Sequence, residues 1–160
     1  MTRRPRLGSM PSMSDAEIEV RLAGPHMCVL SVARIGKGPV AVPLAYLFRE
    51  GSFYLQSAPE SLHGRLAVKR GRATVTIHDE PQISDLEAAE WYITAEGPVV
   101  FSDDPLRPLM REMLAKDRGE HLADRWLNEW LWPVAKDHQV LILTPERIAG
   151  FSFPSRLEEA

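Results

Sequence analysis

The sequence predicts a small antiparallel β-barrel of six or so strands with helices at its ends, an α+β fold. Three observations carry this. Strand-like runs over 27–34, 40–48 and 52–57 follow one another closely, separated only by Gly36-Lys37-Gly38-Pro39 and Arg49-Glu50-Gly51, which are short enough for hairpins. Ala73, Val75 and Ile77 alternate with Thr74, Thr76 and His78, the mark of a half-buried strand with His78 on its polar face. The opening strands lack helical crossovers, which excludes a doubly wound parallel sheet.

Taken in order, residues 1–12 are rich in Arg, Pro, Ser and Gly without period and read as a disordered arm. A domain is expected over 13–155 and a frayed tail over 156–160. Ser14 and Glu17 are spaced as a capping box and Met13 and Ile18 as its hydrophobic staple, so a helix is expected to about Ala23, where Gly24-Pro25 ends it. Pro43 removes a backbone donor from the second strand run, which suits a sheet edge, a bulge or a place where something other than a strand receives the backbone.

After the third run a short helix is expected to carry Leu62 and Leu66 inward and to end at a left-handed Gly71. An acidic loop follows over 81–90. A strand over 91–101 is then expected to bend at Gly97-Pro98. Asp104 is expected to cap a helix with Pro105 at its first position, and Leu106, Leu109, Met110, Met113 and Leu114 line its apolar face. A break over 116–120 precedes another helix bearing Leu122, Trp126, Leu127 and Trp130, which stops at Trp132-Pro133. Its tryptophans suit packing or a dimer interface better than an aromatic cofactor box. A last strand pair covers 139–143 and 148–153.

The 160 residues suffice for a core without staples, and the single cysteine, Cys28, lies in an apolar run. A reducing, cytoplasmic setting is therefore expected, with Cys28 as a core residue. Nineteen basic against 22 acidic residues give a net charge of −3, which carries no signature of nucleic acid. The cluster of Arg3, Arg4 and Arg6 is local and lacks the apolar segment of a signal peptide. No apolar run approaches the roughly 20 residues that span a bilayer, so no membrane partner is expected.

Several familiar sites are missing from the sequence: the Gly-rich dinucleotide and phosphate loops, the Gly-x-Ser-x-Gly elbow and the Cys-x-x-Cys pair. His26, His63, His78, His121 and His138 are scattered, so no metal site is expected, and Asp103-Asp104 reads as a helix start. No catalytic residue is assigned. The most chemical place is the turn between Gln56 and Arg65, where Ser57, Ser61, His63 and Arg65 can share a phosphate. The alternative is a capped surface helix, with Ser57 capping and Glu60 completing the box. Glu60 places a negative charge near the supposed anion, and composition alone leans slightly toward that alternative.

From Ser14 to Phe153 the chain resembles the flavin-binding split-barrel superfamily of the pyridoxamine 5′-phosphate oxidases, with its deazaflavin-dependent and nitroimidazole-reductase-like branches. The segments that carry the likeness are Ser14-Asp15-Ala16-Glu17-Ile18-Glu19, Val40-Ala41-Val42-Pro43-Leu44-Ala45-Tyr46 and Gly51-Ser52-Phe53-Tyr54-Leu55-Gln56-Ser57-Ala58-Pro59-Glu60. Gly71-Arg72-Ala73-Thr74-Val75, Trp91-Tyr92-Ile93-Thr94-Ala95-Glu96-Gly97 and Leu143-Thr144-Pro145-Glu146-Arg147-Ile148 complete it. Each is weak singly, and their order and spacing together specify the fold more than a reaction.

The resemblance implies a six-stranded split barrel acting as a homodimer, with a flavin in each cleft between subunits. It implies that backbone groups of Val42, Pro43 and Leu44 meet the ring, that Ser57, Ser61, His63 and Arg65 surround the phosphate, and that Gln56 adjoins them. The implied cofactor is FMN or a deazaflavin of the F420 type, with haem ranked after them. The implied activity is hydride transfer to or from a small organic substrate, in which the cofactor does the chemistry. A storage or sensing protein on the same fold is the alternative. Tyr46 and His78 are candidates for lining the substrate side. His63 stands where many relatives carry lysine, which leaves Arg65 to supply the fixed charge, and Gln56 replaces a histidine of the nitroimidazole-reductase branch.

Overall fold

A computed structural model describes residues 12–79 and 90–152. The expected N-terminal arm up to residue 11, the acidic loop over 81–89 and the tail over 156–160 lie outside the described residues.

The first helix, α1, spans Asp15–Leu22 and carries the expected capping box. Ser14 Oγ accepts from the Glu17 amide at 3.2 Å, and Glu17 Oε2 accepts from the Ser14 amide at 2.7 Å. Ile18 and Leu22 are its buried residues, and Met13 packs beside them on the core.

Four strands follow: β1 (Cys28–Arg34), β2 (Lys37–Leu44), β3 (Tyr46–Arg49) and β4 (Ser52–Ser57). Arg34 pairs with Lys37, so the first hairpin turns on Ile35 and Gly36 alone. The second turns on Glu50 and Gly51, both at positive φ (51° and 75°), the requirement of a turn whose twist matches its strands.

The run expected as one strand over 40–48 is two. Ala45 divides it, and β2 pairs with β1 whereas β3 pairs with β4. Helix α2 (Leu62–Arg70) then leads to β5 (Arg72–His78) through Gly71 in the left-handed conformation, as expected. The remaining strands are β6 (Trp91–Ser102), β7 (Gln139–Leu143) and β8 (Arg147–Ser152).

Every pairing is antiparallel, in the order β2-β1-β5-β6-β7-β4-β3, with β8 also on β6. The two ends of this path, β2 and β3, are one residue apart in the chain, so the sheet has to roll until its ends meet at Ala45. The result is a barrel that the covalent chain, not hydrogen bonding, brings together. It counts eight described strands where six or so were expected.

The twelve-residue β6 is shared by both halves. Its first part lies between β5 and β8, and Val99 to Ser102 pair with β7. The expected bend at Gly97-Pro98 is instead an unbroken ladder with Ala73 and Arg72 opposite. What glycine supplies is proximity. A Cβ at Gly97 would fall far inside the Thr144 carbonyl and within 3.0 Å of the Glu146 amide nitrogen, where the turn between β7 and β8 crosses.

The barrel interior is filled by alternating residues, among them Leu30, Val32, Phe53, Leu55, Val75, Ile77, Ile93, Leu141 and Leu143. A second core forms outside the barrel. Helix α3 (Leu106–Arg118), α4 (Glu120–Trp126), a π-helical turn (Leu127–Leu131) and α5 (Trp132–Ala135) pack Leu109, Met110, Met113 and Leu127 against Tyr54, Val140 and Ile142 on the outer faces of β4 and β7. Each fully buried side chain of this kind contributes about 2 kcal/mol.

Two helix expectations need correction. Asp104 does not cap α3: Pro105 occupies that position without a side-chain cap, and the Asp104 amide instead donates to Ser102 Oγ at 3.1 Å. The later helix continues past Trp132-Pro133 to Ala135, because the wider π turn just before Pro133 accommodates a residue that cannot donate. Trp132 packs on the second core, Arg107 lies over its ring, and Trp130 is exposed.

Lys116, near the end of α3, ties the two cores together. Its side chain is 9% exposed; Nζ donates to the carbonyls of Gly24 (3.2 Å) and His26 (2.9 Å), pairs with Asp117 and sits 4.4 Å from the Tyr46 ring centroid. Tyr46 is wholly buried and its hydroxyl donates to the Leu22 carbonyl at 2.9 Å. It therefore does not line a substrate side, contrary to expectation, because the ring fills the barrel end and its hydroxyl is committed to α1.

Candidate functional site

The site expected around the turn after β4 begins with the way α2 starts. Ser61, not Ser57, is the N-cap, with φ −65° and ψ 157°. Its Oγ accepts from the Gly64 amide at 3.0 Å and donates its one proton to the Ala58 carbonyl at 2.6 Å. No capping box forms with Glu60, since the residue three beyond Ser61 is Gly64. A Cβ on Gly64 would meet the Ala58 carbonyl far inside contact distance and lie 3.0 Å from Ser61 Oγ and 3.1 Å from the Pro59 carbonyl. The turn folds back on the helix so tightly that only glycine fits.

This packing rotates α2. Gly64 and Ala67 face the barrel, Leu66 is partly buried, and Leu62 is 48% exposed, contrary to the expectation that it points inward. The helix lies against β1, β2, β5 and β6, and Arg70 Nε donates to the Ala33 carbonyl at 3.3 Å. Val42, Pro43 and Leu44, the residues expected to meet a planar ring, are on β2, one of the elements α2 packs against. Val42 and Leu44 turn their side chains to the core and Pro43 is exposed. Among the described residues no strand pairs with the outer edge of β2, which fits the sheet edge that is one of the readings Pro43 allows.

The four residues expected at a phosphate behave differently from one another. Ser57 is 1% exposed and its hydroxyl reaches only the neighbouring Ala58 carbonyl, at 3.5 Å. Ser61 serves the cap. Arg65 is exposed and has no ion-pair partner among the described residues. His63 is half-buried, with Nε2 3.3 Å from Ser61 Oγ. Burial lowers its pKa from the ordinary 6.5, and the nearby imidazole of His138 lowers it further. The shift favours the neutral ring.

His138 is the residue sequence reasoning missed. It precedes β7, and β7 pairs with β4 so that Gln139 lies opposite Ser57. The loop after α5 thereby delivers His138 beside the turn, where its Nδ1 lies 2.9 Å from Gln56 Oε1. The only sequence signal for it is its place one residue before a strand run, which means nothing until the partner of that strand is known.

The set suits an anion once an imidazole is protonated. Two imidazoles meet at a helix start, Arg65 lies on the exposed face of the same helix, and no carboxylate is among the causes that shift His63. Among the described residues no group of three or more metal-ligating side chains is found. Elsewhere, burial pushes the Cys28 thiol up to about 12, which makes it inert, and His78 ends β5 on the exposed face as expected. No helix among the described residues is long and apolar enough to cross a membrane.

No family model matches the chain, and no curated protein does. Solved structures do match. An FAD-binding protein from Mesorhizobium loti is 18% identical with a TM-score of 0.64, over 91% of this chain and 99% of that one. An F420 reductase is 14% identical with a TM-score of 0.62, over 81% and 94%. The haem storage protein of Vibrio cholerae is 13% identical with a TM-score of 0.56, over 88% and 93%. At these identities the likeness is one of fold alone: the chain shares the antiparallel split-barrel fold of these proteins.

Proposed function

We propose that the protein is a flavin-type oxidoreductase that binds FMN or a deazaflavin of the F420 type and moves a hydride to or from a small organic substrate. It works as a cytoplasmic homodimer in this reading. The observation that carries it is the juxtaposition of α2, with the anion-suited turn before it, and β2, with an outer edge unpaired among the described residues. A cofactor with a phosphate at one end and a flat ring at the other needs both features on one face. Proteins of the same fold described as FAD-binding and as an F420 reductase support the choice of cofactor class.

When bound, the cofactor supplies the hydride chemistry. The chain supplies position: His63, His138 and Arg65 toward the phosphate, and the backbone of Val42, Pro43 and Leu44 toward the ring. Ser57 and Ser61 support the turn, and Gln56 orients His138.

Absorbance and fluorescence titrations with FMN, reduced and oxidised F420, and haem test the reading. Saturable binding of FMN or F420, lost in the His63→Ala/Arg65→Ala double variant, is expected. Binding unaffected by both substitutions refutes the phosphate assignment. Uptake of haem in place of either flavin favours the storage reading, which the fold of the Vibrio cholerae protein supports.

A further inference from the structure

The hydrogen bonds of the two histidines fix which ring nitrogens carry protons. Ser61 Oγ has given its only proton to the Ala58 carbonyl, so the contact to His63 is made by His63 Nε2–H donating to Ser61 Oγ. Gln56 Oε1 can only accept, so His138 Nδ1–H donates to it. In their neutral forms, therefore, His63 keeps a bare lone pair at Nδ1 and His138 a bare lone pair at Nε2. Neither free nitrogen can donate to a phosphate oxygen until it gains a proton.

Proton gain by His63 is disfavoured in the free protein. His63 is desolvated and feels His138 and no other charged group among the described residues; the charged residues that flank the two in the chain are Glu60 and Arg65 around His63, and Lys136 and Asp137 before His138. A bound dianion reverses that balance, because each imidazole then gains an opposite charge and a hydrogen bond that exists only in its protonated form.

We propose that His63 and His138 form a proton-gated anion subsite at the start of α2, which holds the phosphate end of the cofactor only as an imidazolium takes up a proton with it. The proposal rests on the flavin-type reading for the identity of the anion but not for the existence of the subsite. A lysine at the same place would be charged throughout and would show no such linkage. A divalent transition metal is the other species that two bare imidazole nitrogens attract, and the helix start, Arg65 and the lack of a third ligand among the described residues count against it.

The test is a proton-NMR titration of the imidazole ring signals in the intact protein, with and without sodium sulfate, at constant ionic strength. Sulfate stays dianionic throughout, whereas the phosphate of FMN titrates near pH 6. Sulfate is expected to raise the titration midpoints of His63 and His138, and of no other histidine, with assignments from His63→Gln and His138→Gln. Sulfate affinity is expected to fall by up to tenfold per pH unit above the free midpoints for each coupled proton. Either single substitution is expected to lower the number of coupled protons. Midpoints that sulfate leaves in place overturn the subsite, as does zinc chloride lowering them at micromolar concentration while sulfate does nothing. FMN and riboflavin titrations between pH 6.5 and 8.5, run alongside, report on the cofactor. If sulfate raises the midpoints but FMN does not bind, the subsite stands and the flavin reading fails. If FMN binds with an affinity as flat in pH as that of riboflavin, the reading stands and the gating is wrong.

Discussion

Replacing Gly64 with alanine tests the turn on which the candidate site depends. In an ordinary helix the exchange stabilises by about 0.5–1 kcal/mol, since alanine loses less backbone entropy on folding. Here the new methyl has no room: it meets the backbone carbonyl of Ala58, with Ser61 Oγ at 3.0 Å and the Pro59 carbonyl at 3.1 Å on either side. Two of these three atoms are main chain and cannot rotate away, so the turn has to move off the helix at an overpacking cost of about 1–3 kcal/mol. The move also stretches the Ser61 cap on the Gly64 amide, worth about 1 kcal/mol. Offsetting these against the helix gain leaves a net loss of about 2 kcal/mol. Urea denaturation followed by circular dichroism measures it, with Gly38→Ala as the control, because a Cβ there meets nothing within 4 Å. The control is expected within about 0.5 kcal/mol of the parent. A Gly64→Ala protein as stable as the parent, or more so, refutes the described approach of the turn to α2.

Three further outcomes follow from the same geometry. Lys116→Met is expected to cost about 3 kcal/mol, because it removes the donor from two backbone carbonyls and leaves the half-buried Asp117 carboxylate without its partner; Lys116→Met/Asp117→Asn should recover most of the loss in a denaturant melt. Gly97→Ala is expected to cost about 3 kcal/mol through collision with the Thr144 backbone, read as a fall in thermal midpoint that Ala95→Gly does not imitate in kind: the latter leaves the β7–β8 turn unmoved by NMR chemical shift, the former displaces it. For His63 the folded pKa is below 6.5, so the unfolded chain binds more protons in the window from 6.5 down to that folded value, and stability falls as pH falls through it. His63→Gln should flatten the pH dependence of the urea midpoint below 6.5, leaving the slope that His26, also lowered by burial, contributes; an unchanged slope refutes the lowering of the His63 pKa by its surroundings.

What was legible in the sequence was whatever neighbouring residues decide. The Ser14–Glu17 box, the Glu50-Gly51 turn, the alternation of β5 and the left-handed Gly71 depend on contacts a few residues long, and each is found as read. Ala45 was not legible, because nothing in its side chain announces that one continuous apolar run serves two different neighbours. Spacing alone places Leu62 inward, whereas the orientation of α2 is set by Gly64 packing on Ala58, a contact that periodicity does not see. The same holds for the site. Ser61, His63 and Arg65 lie in one sequence stretch, but His138 comes near His63 across 75 residues of chain through the pairing of β4 with β7.

The division at Ala45 also explains why the candidate site lies where it does. A fully closed barrel would pair β2 with β3 and consume the outer edge of β2. Here the two strands are consecutive in the chain and diverge, so neither satisfies the other: β3 turns to β4, and β2 keeps an edge unpaired among the described residues. Pro43 lies on that strand, lacks the donor a further strand would need, and so discourages edge-to-edge pairing with another chain without obstructing the approach of a flat ring. The helix that follows β4 packs against this same strand and carries the capped turn with it. An open edge and an anion-suited turn are thus brought together by one topological event, the failure of the sheet to close at residue 45. Filling the turn at Gly64 acts on only one of these two features. It should weaken the binding of FMN, which has a phosphate to place there, more than that of riboflavin, which does not.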